Sequence, residues 1–210
     1  MRVKRFSVSP MGTNCYIYQD EKTGRYAVID PGEMTDELRA AVDLVGKDAF
    51  DYILLTHCHF DHVAGASAFR DLTDAPIAIY EDDADGLGNS DINVSALFGR
   101  RFKYAEADKK FFDGEKFKVG ETEFTVMHTP GHSRGSCCYI TEGLIFSGDT
   151  LFRECIGRTD MPGGDYRSMY QSLQKLAALP GDYLVYPGHE MHTTLSNERE
   201  NNPYFKMEDY

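Results

Sequence analysis

The chain has 210 residues, with 22 basic and 34 acidic side chains and a formal charge of −12. That length suits one large α/β domain or two small ones and buries a substantial core without staples, and the acidic balance argues against nucleic acid or an anionic membrane as the main partner. The N-terminus Met1-Arg2-Val3-Lys4-Arg5-Phe6 lacks a signal-peptide apolar region, no apolar run approaches a membrane span, and five cysteines, two of them adjacent (Cys137, Cys138), fit reduced thiols in a cytoplasm.

In chain order, residues 3–9 and 13–19 read as strands around a Pro10-Met11-Gly12 turn, and residues 25–30 as a third strand stopping at Asp30-Pro31-Gly32. Asp30 is either a turn former or a buttress for a nearby ligand. Residues 35–45 read as a helix: Thr35 caps it, Asp36 and Glu37 complement its dipole, and Gly46 closes it. Leu38, Ala41, Val42 and Val45 give it one apolar face. Residues 51–55 form a strand, and residues 63–72 read as helical. Residues 77–80 form a short strand, and residues 81–104, where the pattern weakens, read as an irregular or partly helical insertion over a cleft. Strands resume at 117–119 and 123–128, and residues 165–178 form a helix capped by Asp165, with Met169, Leu173, Leu176 and Ala177 on its core side. Strands first, then strand–helix alternation, then strands again predicts two mixed sheets with helices outside them.

Behind the apolar run Tyr52-Ile53-Leu54-Leu55 comes Thr56-His57-Cys58-His59-Phe60-Asp61-His62, with three of the chain's seven histidines inside six positions. In extended backbone His57 and His59 face the same way and can reach one ion, while a turn through Phe60 aims Asp61 and His62 at a neighbouring position. Imidazole with carboxylate suits zinc, iron or manganese, but this segment cannot close a four-ligand site alone. Three later strands end alike: Thr129-Pro130-Gly131-His132, where Pro and Gly force a turn that exposes His132; Ser147-Gly148-Asp149; and Tyr186-Pro187-Gly188-His189. Seven ligand-type residues at strand ends exceed the needs of one zinc and match two adjacent ions sharing a carboxylate.

This set resembles the metallo-β-lactamase superfamily over essentially the whole chain. The resemblance implies one domain over residues 1–210 with an αββα four-layer sandwich and a metal site in the cleft between the sheets. It implies that His57, His59 and His132 hold the first ion, that Asp61, His62 and His189 hold the second, and that Asp149 bridges. Asp61 and Asp149 are then also the catalytic carboxylates, Asp61 orienting the attacking water, and the cofactors are two divalent ions, zinc first with iron or manganese as alternatives. Ser147 to Phe152, Ile156-Gly157-Arg158-Thr159-Asp160, the stretch from Asn89-Ser90 to Phe98, and Asn197 to Pro203 are similar to the short bacterial members of the glyoxalase II (hydroxyacylglutathione hydrolase) branch. About twenty residues follow His189, fewer than the C-terminal helical domain with which that branch holds glutathione.

The expected activity is hydrolysis of a small-molecule thioester such as S-lactoylglutathione, by water activated between the ions. A thiolate, with conjugate-acid pKa of about 8.5, leaves without prior protonation. The alternatives are a mononuclear iron persulfide dioxygenase, a lactonase or other ester hydrolase on the same fold, and a non-catalytic metal-binding protein. His128 reads as a core or rim histidine and His192 as exposed. Cys58 reads as a packed thiol, since its side chain points away from its neighbours'. Cys155 is placed near the Asp149 loop. Arg158 reads as a brace with Asp160 or Asp165, and Arg134 and Arg153 either brace loops or clamp a carboxylate.

Overall fold

In the computed structural model, which describes residues 2–206, the strands sort their apolar side chains by parity. The elements are β1 (Val3–Val8), β2 (Thr13–Asp20), β3 (Arg25–Ile29), α1 (Asp36–Val45), β4 (Phe50–Leu55), α2 (Phe60–Val63), α3 (Ala66–Thr73), β5 (Ile77–Tyr80), α4 (Glu81–Ala84), β6 (Lys109–Phe111), β7 (Lys116–Val119), β8 (Thr122–His128), β9 (Cys137–Thr141), β10 (Leu144–Gly148), β11 (Leu151–Phe152), β12 (Cys155–Ile156), α5 (Tyr166–Ala177), β13 (Leu184–Pro187), β14 (Thr193–Thr194) and α6 (Leu195–Asn201). One six-stranded sheet runs β1-β2-β3-β4-β5-β6 and a second runs β14-β13-β10-β9-β8-β7, with β11 and β12 forming a separate ribbon. Both sheets are mixed: β3 to β6 pair in parallel beside the antiparallel β1–β2–β3, and β10 pairs in parallel with β13 but antiparallel with β9.

Successive strand residues point to opposite faces, so one strand feeds two layers of core. On β4, Ile53 and Leu55 pack outward with Leu38 and Val42 of α1 and Phe69 of α3, while Leu54 packs inward. On β10, Phe146 points inward and Ile145 outward, beside Met169, Leu173 and Leu176 of α5. The inner layer is aromatic: Tyr18 meets Phe124 edge-on at 4.9 Å, and Tyr52 meets Phe117 across the sheets at 5.3 Å. Helix–sheet–sheet–helix is therefore the order of layers, an αββα sandwich. Truncating an inner ring such as Phe146 to Ala would cost about 3–5 kcal/mol.

Local chemistry sets the helix ends. Thr35 caps α1 by accepting from the Leu38 amide, and Asp165 caps α5 by accepting from the Ser168 amide. The helix expected over 63–72 is displaced: α2 closes at Val63, and Ala64-Gly65 separates it from α3, which runs to Thr73. Gly65 causes the break, because its amide is taken by the Pro31 carbonyl and a Cβ there would lie 2.5 Å from that oxygen. Strands β6, β9, β11, β12 and β14 had no expectation in the sequence. The insertion at 81–104 is partly helical, with α4 and short 3₁₀ turns at Asp85–Gly88 and Ser95–Phe98. Among the described residues no helix is long and apolar enough to cross a membrane.

Because β9 runs antiparallel to both β8 and β10, and β10 runs parallel to β13, the C-terminal ends of β8, β10 and β13 share one edge. Cross-sheet hydrogen bonds bring the end of β4 to that edge. The Cys137 amide donates to the Thr56 carbonyl (2.9 Å), and the Tyr139 hydroxyl donates to the Leu55 carbonyl (2.8 Å).

Candidate metal centre

The sheet edges deliver the seven side chains to one place. His57, His59 and His132 offer ligand atoms within 4.8 Å of one another, and Asp61, His62 and His189 do the same. Asp149 stands between the groups: its Oδ2 lies 3.4 Å from His132 Nε2 and 3.5 Å from His189 Nε2, and its Oδ1 lies 3.4 Å from His62 Nε2. His57, His59, His62 and His132 are all buried. His132 thus departs from the expectation of an exposed turn: its Nδ1 donates to the Arg158 carbonyl (2.8 Å), which folds the loop after β12 over the ring.

Other residues aim these side chains. Asp30 is the buttress rather than a simple turn former, since its carboxylate accepts from the Thr56 amide (2.8 Å), the Thr56 hydroxyl (2.7 Å) and His62 Nδ1 (3.0 Å). With Nδ1 engaged, His62 turns Nε2 toward Asp149 and Asp61. Thr13 donates from Oγ1 to Asp61 Oδ2 at 2.8 Å. Its neighbour Asn14 holds the His189 loop, donating from Nδ2 to the Pro187 carbonyl (3.0 Å) and the Glu190 carbonyl (2.9 Å). Gly188 is required by closeness: a Cβ there would lie 2.1 Å from Asp149 Oδ1 and 2.7 Å from His62 Cε1.

Divalent ions fit this donor set. His57 Nε2, His59 Nε2 and Asp149 Oδ1 are buried without a hydrogen-bond partner among the described residues, an expensive state for polar atoms unless they face a ligand. Burial, then the neighbouring imidazoles, pushes His57 well below its usual range; burial, then His132 and His62, does the same to His59, so both stay neutral and able to ligate. Burial opposes charge on His62, but the carboxylates of Asp149, Asp61 and Asp30 outweigh it and raise the imidazole. Burial likewise works against charge on Asp61, and His62 with the His189 and Thr13 hydrogen bonds overcomes it, keeping the carboxyl ionised.

A cavity of about 340 Å³ opens over the centre, walled by Phe98, Phe152, Ile156 and Met161, with His59, His132, Asp149 and His189 among the residues facing it. Cys155 also lines it, half-buried, as does Arg158, whose guanidinium braces Asp160 through two hydrogen bonds of 2.7 and 2.8 Å. Arg153 is exposed beside Glu154 (3.9 Å), while Arg134 contributes its carbonyl, which accepts from His128 Nε2 (2.8 Å). His128 stacks on Tyr80 at 4.1 Å, outside both ligand groups, and His192 is exposed. Cys58 is fully buried in the outer core, its thiol pushed up by burial and by Asp83.

Comparison with known proteins agrees with this architecture. Residues 8–189 match the metallo-beta-lactamase superfamily model, and the chain belongs to that superfamily. It is 31% identical to the hydroxyacylglutathione hydrolase GloC of Haemophilus influenzae, over 97% of this chain and 98% of that one. Among solved structures it resembles the BLEG-1 B3 metallo-beta-lactamase (TM-score 0.87, 33% identity, 98% of this chain and 100% of that one). It is also similar to TTHA1623 in a di-iron-bound form (TM-score 0.85, 32% identity, 96% and 100% covered). The class defined by fold and site is thus a metal-dependent hydrolase of the metallo-beta-lactamase superfamily.

Proposed function

We propose that this chain works as one domain, is a dinuclear metal hydrolase, and acts on small thioesters, with S-lactoylglutathione as the leading substrate. The observation that carries the reading is Asp149, whose two carboxylate oxygens reach histidines of both ligand groups at the floor of the cavity. His57, His59 and His132 would hold one ion, Asp61, His62 and His189 the other, and Asp149 both. When bound, such ions supply Lewis-acid polarisation of an acyl carbonyl and acidify water toward a pKa of about 7. The donor set suits zinc and also iron, the metal of the similar TTHA1623.

The remaining work falls to the chain. Asp61, its Oδ2 held by the Thr13 hydroxyl, orients the attacking water. Phe98, Phe152 and Ile156 exclude bulk water from the acyl group. A thiolate leaves without a proton donor, which fits a cavity whose histidines are all committed to the ligand groups. The similarity to GloC supports a hydroxyacyl thioester as the substrate class, and five free cysteines suit a reducing cytoplasm.

The test is a steady-state panel under identical metal loading: S-lactoylglutathione, an acyl-homoserine lactone, a cephalosporin, and glutathione persulfide with oxygen uptake recorded. Thioester hydrolysis with about two ions per chain is the expected result. Oxygen consumption on the persulfide with the thioester left intact refutes it; turnover of the lactone or lactam alone keeps the hydrolase and changes the substrate.

A further inference from the structure

A second cavity, of about 410 Å³, adjoins the metal cavity, and the two share Phe60 and Asp61 as common wall. The same two segments border both: the turn between β1 and β2 contributes Pro10 to one and Met11 to the other, and the insertion contributes Arg100 to one and Phe98 to the other. The body of the second cavity is apolar, from Met34, Phe60, Ala64, Ala68 and Phe102. None of the seven ligand-type residues except Asp61 lines it.

Three polar groups stand out against that lining. The Tyr104 hydroxyl is buried yet has no hydrogen-bond partner among the described residues. Burial pushes it up to about 12, so it stays protonated and serves as a donor. Arg100, which lines the same cavity, is exposed, and no described residue gives its guanidinium a hydrogen bond or ion pair. Glu33, exposed at the rim, is in the same position with opposite charge. A hydroxyl donor and a guanidinium lining one cavity match a carboxylate, which Arg binds well because its planar fork is always charged. A lone carboxylate of the protein near by matches an ammonium. Carboxylate and ammonium together are the α-amino-acid end of a small molecule.

We infer that this second cavity is the subsite for the leaving thiol, and that Tyr104, Arg100 and Glu33 there recognise a zwitterionic amino-acid end while Phe60 and Phe102 pack its apolar stem. The identity of the ligand as a thiol rests on the thioesterase reading; the preference for a zwitterionic end rests on the cavity alone. Metal-loaded full-length protein should be titrated with S-methylglutathione, whose γ-glutamyl end is zwitterionic and whose thioether carries no thiolate, and with its N-acetyl derivative. Calorimetry gives the Kd, and methyl NMR at Ala64 and Ala68 locates the probe.

Arg100→Ala and Tyr104→Phe should each weaken S-methylglutathione about tenfold, and N-acetylation of the probe should weaken it several-fold, as Glu33→Gln does. The ratio of kcat/KM for glutathione over N-acetylcysteamine thioesters should fall in the Arg100 and Tyr104 variants. Unchanged Kd in both of those variants, or indifference to N-acetylation, overturns the inference even if the thioester is hydrolysed. Probe binding with these dependences but no thioester turnover leaves the subsite standing and removes the thioesterase reading.

Discussion

Asp83 Oδ2 accepts a hydrogen bond from the Cys58 amide at 2.9 Å, reaching from α4 into the segment between His57 and His59. The same oxygen accepts from the Ser133 hydroxyl (2.7 Å), and Oδ1 accepts from the Gly135 amide (2.7 Å). One buried carboxylate therefore fixes the distance between the two loops that carry His57, His59 and His132.

Removing that carboxylate strands two backbone amides in the interior, those of Cys58 and Gly135, and leaves the Ser133 hydroxyl only its Ser136 partner (2.7 Å). Asp83→Ala should destabilise the fold by about 3 kcal/mol in chemical denaturation and lower metal affinity or activity about 10–100-fold. The cobalt-substituted protein gives the decisive reading, because loosened imidazole ligands change its visible absorption. A cobalt spectrum and affinity matching wild type in Asp83→Ala would falsify the positioning role.

Asp149→Ala removes the carboxylate that stands between the two groups of ligand-type residues. Elemental analysis should fall from about two ions per chain to one or fewer, with turnover lost and far-UV circular dichroism retained. His128→Ala is the contrast, since its ring packs on Tyr80 and bonds the Arg134 carbonyl; metal content should stay at the wild-type value. Near-normal turnover in the Asp149 variant sinks the dinuclear reading.

Gly188→Ala is a conservative change with a large expected effect. Its methyl would collide with Asp149 Oδ1 and the His62 ring, so the His189 turn must move away from both. Metal content should drop below that of wild type and kcat should fall at least about 100-fold, the scale of a roughly 1 Å misplacement. Full metal content with unaltered kcat would show that the turn relaxes freely.

Acid sensitivity has a source far from the centre. The Glu121 amide first, then the Thr23 hydroxyl, holds the Asp20 carboxyl below the usual carboxylate range, with Thr122 adding a further hydrogen bond. Its folded pKa lies below its unfolded one, so its contribution is complete above about pH 4 and is lost as pH falls through the folded value. Asp20→Ala should cost about 2 kcal/mol at pH 7 and flatten the decline in stability between about pH 4 and pH 2. Parallel stability curves for variant and wild type over that range would exclude this linkage.

The ligand-type residues were legible because each of the four segments that carry them follows an apolar strand and opens behind a turn-forming glycine or threonine, a pattern the side-chain alphabet makes visible. Their supports were not. Thr13 and Asn14 look like ordinary hairpin polar residues; the strand order of the first sheet brings Thr13 on β2 to Asp61 behind β4, and closure of the second sheet on the first brings Asn14 to the His189 loop. Asp83 sits in Glu81-Asp82-Asp83-Ala84-Asp85, where nothing in the order of acids distinguishes the buried one from its exposed neighbours. Asp30 was legible as one of two possibilities, and the three hydrogen bonds it accepts decide between them. Strand β9 shows no polar alternation in the sequence because both its faces are buried, Cys137 facing one layer of core and Cys138 the other.

His62 and His189 meet across 127 residues of sequence. During synthesis the early histidine cluster leaves the ribosome long before its last partner exists. A nascent chain can therefore offer three imidazoles and a carboxylate from residues 57–62 to a divalent ion before His132, Asp149 and His189 exist. The complete donor set exists only once residue 189 has been made, so on the dinuclear reading the two ions would be enclosed only after nearly the whole chain is synthesised.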